Sequence, residues 1–268
     1  MGMATLHLDD LDLHYERFGE GRPLLVLNGS GQSIEAARAL IDRLARDTEV
    51  LVHDQRGLGR TGLPRGTDPP TMADYAADAA ALLDHVGWDT CAVFGISFGG
   101  MVAQELAVTH PDRIERLALV CTSPGGEGGS SYPLDELVDL PPEERTRAHL
   151  GLLDTRFDDA WLRDHPADRA IAEMMAERVN APRTDEQVLG ERLQLAARSG
   201  HDVYGRLHRI GCPTLIACGE YDGIAPPSNS EAIHSRIPGS ELRRYDGGHL
   251  FVYQDARAFP DIVEFLTA

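Results

Sequence analysis

The sequence predicts an α/β fold: a mostly parallel sheet with helices on both faces, interrupted once by an inserted block of helices. Three observations predict it. Short continuous apolar runs, the mark of strands buried on both faces, alternate with segments whose apolar residues recur at helical spacing. Such alternation gives parallel strands joined by crossovers. From about Tyr132 to Arg209 the alternation stops, and only helix-like pieces follow. One apolar run, Ala92–Phe94, ends in Gly95-Ile96-Ser97-Phe98-Gly99-Gly100 directly ahead of a helical segment.

Taken in order, Leu6–Leu8 and Leu13–Arg17 alternate apolar and polar residues around an Asp-rich turn, an opening hairpin. Pro23–Leu27 is a buried strand ending in Asn28-Gly29-Ser30-Gly31, and Glu35–Arg46 a helix. Val50–Asp54 is the next strand, followed by Gln55-Arg56-Gly57-Leu58-Gly59-Arg60-Thr61-Gly62. Met72–Val86 is a helix closed by Gly87, and the helix after Ser97 stops at His110-Pro111. Arg116–Cys121 is a strand. Helical pieces follow at 141–153, 158–164, 167–180 and 184–198. Strand Pro213–Cys218, helix Ser228–Ile237, strand Glu241–Tyr245 and helix Ala256–Leu266 resume the alternation. This divides the chain into a core, residues 1–124 and 210–268, and a helical cap, residues 125–209.

The formal net charge of −18 argues against nucleic acid and anionic membrane surfaces as partners and does not identify a substrate; the expected partner is a small-molecule substrate. All 25 basic residues are arginine, which excludes a P-loop lysine, a lysine Schiff base and a Ser-x-x-Lys acylation pair. Cys91, Cys121, Cys212 and Cys218 form no Cys-x-x-Cys pair and read as reduced, buried residues; no metal site is expected. The opening residues hold neither the basic nor the apolar region of a secretory leader, so a cytoplasmic location is expected. Gly57–Gly62 matches Gly-x-Gly-x-x-Gly, but the proline-rich stretch after it does not open a helix as a dinucleotide fingerprint must.

Gly-x-Ser-x-Gly between strand and helix points to an activated nucleophile. A tight turn lifts the hydroxyl clear of the chain, and the helix aims its free N–H groups at an oxyanion forming beside it. Without that chemistry the motif is a glycine-rich turn that holds a serine. A serine needs a base oriented by a third group. His249, after Asp246-Gly247-Gly248, and Asp222, after Gly219-Glu220-Tyr221, both follow strands and so lie at the same sheet edge as Ser97. Glu220 and Asp246 are rivals for the acid. His85, His149, His165, His201, His208 and His234 sit in polar helical contexts and read as surface or helix residues. Oxyanion donors are expected from the N–H of Phe98 and from the loop at Gly29-Ser30.

With these pieces, Asn28-Gly29-Ser30-Gly31, Asp54-Gln55-Arg56-Gly57-Leu58-Gly59, Gly95–Gly100, Gly219–Asp222 and Gly248-His249, the whole chain resembles the α/β-hydrolase family. The resemblance implies an eight-stranded, mostly parallel sheet with a helical cap after the sixth strand. It also implies a Ser97–His249–Asp222 triad, no cofactor, and the Ser30 N–H as the first oxyanion donor. Two departures stand out. Asn28 replaces the histidine usual in the oxyanion loop, and Ile96 replaces the asparagine that carbon–carbon bond hydrolases carry before the serine. A serine nucleophile separates the chain from the dehalogenase and epoxide-hydrolase branches.

The expected function is hydrolysis of an ester or lactone. The alternatives are a carbon–carbon hydrolase or cofactor-free perhydrolase on the same triad, and a non-catalytic ligand-binding protein. Phe157, Trp161, Met174 and Met175 are the candidate pocket residues, with packing inside the cap as their other role.

Overall fold

A computed structural model describes residues 3–66, 68–137 and 140–268; Met1 and Gly2, at the head of the stretch read above for a leader, lie outside them. Eight strands form one sheet: β1 (Met3–His7), β2 (Asp12–Phe18), β3 (Arg22–Leu27), β4 (Thr48–His53), β5 (Cys91–Ile96), β6 (Ile114–Val120), β7 (Thr214–Gly219) and β8 (Glu241–Tyr245). Their order is β1-β2-β4-β3-β5-β6-β7-β8. The first two strands pair antiparallel, β2 lies antiparallel to β4, and every other pairing is parallel. The chain winds outward from β3 in one direction and from β5 in the other. The crevice between them is a topological switch point, where open parallel sheets bind ligands.

The central strands are buried on both faces, as their unbroken apolar runs require. Leu24 to Leu27 and Leu117 to Val120 are fully enclosed. One face packs on α2 (Met72–Val86), α3 (Phe98–Thr109) and α8 (Pro227–Arg236) through residues such as Tyr75, Leu82, Phe98, Leu106 and Ile233. The other packs on α1 (Arg38–Leu44) and α10 (Ala258–Thr267), which face it with Leu40, Ile41, Phe259, Ile262 and Leu266. α1 is shorter than the helix expected over 35–46, because the chain around it forms turns.

Between β6 and β7 lie α4 (Pro142–Leu153), α5 (Asp159–Asp164), α6 (Pro166–Val179) and α7 (Asp185–Ser199); no strand of the sheet arises there among the described residues. The sequence missed a 3-10 helix at Tyr204–Arg209, which leads into β7, and α9 (Phe251–Gln254), a single turn after His249. The Gly57–Gly62 loop holds turns and a close contact with α7, where a Cβ on either Gly57 or Gly190 would collide with the other's backbone. Among the described residues no helix is long and apolar enough to cross a membrane.

Candidate active site

Ser97 sits between β5 and α3 at φ 54°, ψ −116°, a left-handed backbone for a residue with a side chain. The surroundings over-determine that turn. The Ser97 N–H donates to Val120 O (2.8 Å), and Ser97 O accepts from Gly100 N (2.9 Å) and Thr122 Oγ1 (2.8 Å). The glycines are there because other atoms occupy their Cβ positions. A Cβ on Gly99 would overlap the Leu27 carbonyl, and one on Gly95 would come within 2.6 Å of Gly99 O. So β3, β5 and α3 touch backbone to backbone, and Ser97 alone of the motif reaches into the cleft.

The structure brings His249 and Asp222 to this serine. His249 Nε2 lies 3.0 Å from Ser97 Oγ, and Nδ1 lies 2.7 Å from Asp222 Oδ2. The other Asp222 oxygen accepts from the amides of Ile224 and Ala225, both at 2.8 Å. Both rivals for the acid face outward. Glu220 lies 3.5 Å from Arg244, and Asp246 lies 2.7 Å from Arg156. Burial works against a charged His249 ring, but the Asp222 carboxylate outweighs it and raises the pKa above the usual 6.5. Cys121, at φ 41° after β6, completes a buried set with donor atoms within 4.8 Å of one another, a spacing open to a three-ligand metal set. The bonds already made by Asp222 and His249 use those same atoms.

Gly29 lies over the elbow, where a Cβ on it would be 3.6 Å from Ser97 Cβ. Among the described residues the amides of Ser30 and Phe98 have no acceptor. Two glutamine side chains hold this loop. Gln55 Nε2 donates to Asn28 O (2.9 Å), Gln194 Nε2 to Gln55 Oε1 (2.7 Å), and Gly31 N to Gln194 Oε1 (2.8 Å). Asn28 itself points inward, fully buried, and neither end of its amide has a partner among the described residues.

The end of α4 seats both triad loops. Its Leu153 O accepts from His249 N (2.6 Å), its Leu152 O from Gly223 N (2.9 Å), and Thr155 N donates to Tyr221 O (2.9 Å). A polar cluster reinforces this. Gln254 accepts from Gly248 N (2.9 Å) and donates to Asp154 (2.9 Å) and Asp168 (3.1 Å), while Arg156 bonds Asp154 at 2.7 Å.

The four apolar cap candidates differ in their surroundings. Trp161 stacks on His165 at 3.7 Å and donates to Asp168 at 2.7 Å. Met174 is 52% exposed. Phe157 lines an open groove with Pro142, Thr146, Leu150 and Leu162, away from Ser97, and Met175 is half-buried on α6. Polar residues face the cleft instead. His149 of α4 is held near pKa 4 by burial and by the charges of His249 and Arg178. Arg178 of α6 donates to Gly31 O at 3.2 Å. His201 is a correction to the reading of it as a surface or helix residue: it is buried outside any helix, with neither ring nitrogen bonded among the described residues. A histidine or arginine on a mixed helix carries no signal of which way it faces. Gln55 had one, as the residue two places past the end of a buried strand.

Residues 22–256 match the model of the α/β hydrolase fold. A poly(3-hydroxyalkanoate) depolymerase of Ectopseudomonas oleovorans is 30% identical over 91% of this chain and 84% of its own length. A 3-oxoadipate enol-lactonase of Acinetobacter baylyi is 27% identical over 97% and 94%. The crystal structure of a hydrolase from Pseudomonas aeruginosa superposes with a TM-score of 0.79 at 30% identity, covering 99% of this chain and 98% of that one. The chain belongs to the α/β hydrolase family. It is an enzyme, a hydrolase of that fold.

Proposed function

We propose that the protein cleaves a carboxylic ester or lactone through an acyl-enzyme. His249 takes the proton of Ser97 as its oxygen attacks the carbonyl; Asp222 fixes the ring so that Nε2 faces the serine, and supports the imidazolium that forms. The amides of Ser30 and Phe98 receive the oxyanion; losing one such donor costs about 3 kcal/mol in the barrier. His249 returns its proton to the leaving oxygen, then activates the water that frees the acid. No cofactor enters these steps. The core, residues 1–124 and 210–268, carries the machinery, and the cap, residues 125–209, covers it. The reaction suits a protein free in the cytoplasm acting on a small molecule.

The observation that carries this reading is the unbroken line from the Ser97 hydroxyl through His249 to Asp222, at 3.0 and 2.7 Å, on a strained elbow. The names of the relatives, a depolymerase and an enol-lactonase, agree with acyl transfer. A fluorophosphonate probe tests it. The parent is expected to label, and Ser97→Ala and His249→Ala are expected to lose the label while keeping the parent's unfolding midpoint. A folded parent that takes no label would sink the reading and favour a binding protein.

A further inference from the structure

The structure assigns a second task to the cleft above Ser97: Arg178 is an anion-binding residue, and the substrate carries a carboxylate beside its scissile ester or lactone. The inference rests on Ser97 as the nucleophile, and it adds the class of substrate.

Three wholly or partly buried arginines of this chain are paired with carboxylates. Arg56 is held by Asp78 at 2.6 and 2.7 Å and by Asp10, Arg156 by Asp154 and Asp246, and Arg206 by Glu105 at 2.7 and 2.8 Å. That is the expected state, since a guanidinium taken out of water needs a counter-charge. Arg178 breaks the pattern. Its acceptors are neutral: Gly31 O at 3.2 Å and the Gln32 side-chain oxygen, turned towards it, at 3.1 Å. No carboxylate among the described residues lies within ion-pair distance of it. Glu191 is close enough to be felt, but it is paired with Arg183 at 2.5 Å. Burial without a counter-ion pulls the Arg178 pKa down, the opposite of what happens to Arg56 and Arg156.

Position gives that vacancy its meaning. Gly31 is the residue after the Ser30 amide, so the guanidinium stands next to the oxyanion loop. His149 feels the charges of both Arg178 and His249, which puts the three around one space. In a chain of net charge −18, an arginine at this place without a carboxylate partner stands out. A carboxylate matches the flat fork of a guanidinium with two parallel hydrogen bonds. Arg198 is the competing candidate, also part-buried and, among the described residues, bonded to a neutral acceptor alone, Tyr132 O at 2.8 Å. It lines a cavity of about 230 Å³ with Met101, Ser123, Ser131 and His201, and it feels the charge of Asp222, the triad acid.

Matched esters test the assignment. 3-Acetoxybenzoate and its neutral methyl ester put the charge on the alcohol side; monophenyl glutarate and its methyl ester put it on the acyl side. Uncatalysed rates are subtracted. The parent is expected to prefer the acid over its neutral partner in at least one pair. Arg178→Gln is expected to cut that preference about 10- to 100-fold, mainly through KM, with Arg178→Lys recovering part of it. Binding of the same acid to Ser97→Ala, by calorimetry, should weaken by a similar factor when Arg178→Gln is added. Equal losses on acidic and neutral esters would make Arg178 a support of the loop and overturn the assignment, as would a parent that prefers neutral esters. Loss of the preference in Arg198→Gln but not in Arg178→Gln would move the anion to the cavity at Arg198 and overturn it too. A parent that hydrolyses neither ester and takes no fluorophosphonate label fails at the nucleophile, a result distinct from all of these.

Discussion

In α3, the helix that carries the elbow, eleven of twelve residues are buried; in α4 only Leu153 is, and in α6 only Ala172. Both regions border the same cleft, but they are held differently. The sheet edge is fastened by backbone: strand register, amides on the Asp222 carboxylate, and glycines that let Leu27, Ser97 and Thr122 approach. The cap is fastened by backbone at the end of α4 and, beyond it, by polar side chains, namely Gln194 to the oxyanion loop, Arg178 to Gly31, and Asp154 through Gln254 to the histidine loop. Backbone contacts tolerate almost no change of residue, whereas side-chain contacts can be exchanged one at a time. The chemistry is therefore fixed in the part that cannot drift, and the choice of substrate lies in the part that can.

The largest effect should come from the sheet edge. Asp222→Asn is expected to lower kcat by about 10⁴ with little change in fold, since the ring loses both its orientation and its counter-charge. The pH profile carries the sign. Attack needs the neutral ring, and Asp222 raises the His249 pKa above 6.5, so the rate should climb with pH along a limb centred above 6.5. In the variant that limb should move down. An unmoved midpoint would mean that another group sets it.

A smaller contrast pits one region directly against the other. Gly99→Ala drives a methyl into the Leu27 carbonyl and is expected to destroy the elbow, abolishing activity and lowering the unfolding midpoint by several degrees. Gln194→Ala removes one amide–oxygen bond to Gly31 and one to Gln55, and is expected to cost about tenfold in kcat/KM, with probe labelling kept. If the two variants behave alike, the cap is as rigid a part of the machine as the elbow.

The sequence reveals these regions unequally, for the same reason. The elbow, Asp222 and His249 are legible because a glycine pattern and a strand end fix where a residue must lie before any packing is known. Placement in a strand-end loop already favours Asp222 over Glu220 and Asp246, and the fold adds where the latter two go, towards Arg244 and Arg156. In the cap, apolar residues were the natural candidates for a pocket, yet Met174 faces water and Trp161 closes on its own helices. A short helix with few buried positions has no single stripe to show which face meets the core. His149 and Arg178 were invisible for that reason.

The finest test of the contrast uses two histidines with the same shift. His53, at the end of β4 in the core, and His149, in the cap, are each held near pKa 4, in both cases first by burial. A folded-state pKa below the unfolded value of about 6.5 means the native state resists the proton. Stability is then full above pH 6.5 and is lost as pH falls towards 4. For His53 the loss between pH 7.5 and pH 5 comes to about 2 kcal/mol, so the stability gap between the parent and His53→Asn should shift by about that much over the interval in urea unfolding. For His149 the shift should be less than half as large, because cap helices with a single buried residue each can open and hydrate the ring without unfolding the sheet. Hydrogen exchange should then quicken in α6 and the first turns of α4 at pH 5 while β5 and β6 stay protected. Equal shifts for the two histidines, with no faster exchange in the cap, would mean that cap and sheet unfold as one unit, and that the difference in their burial has no counterpart in their dynamics.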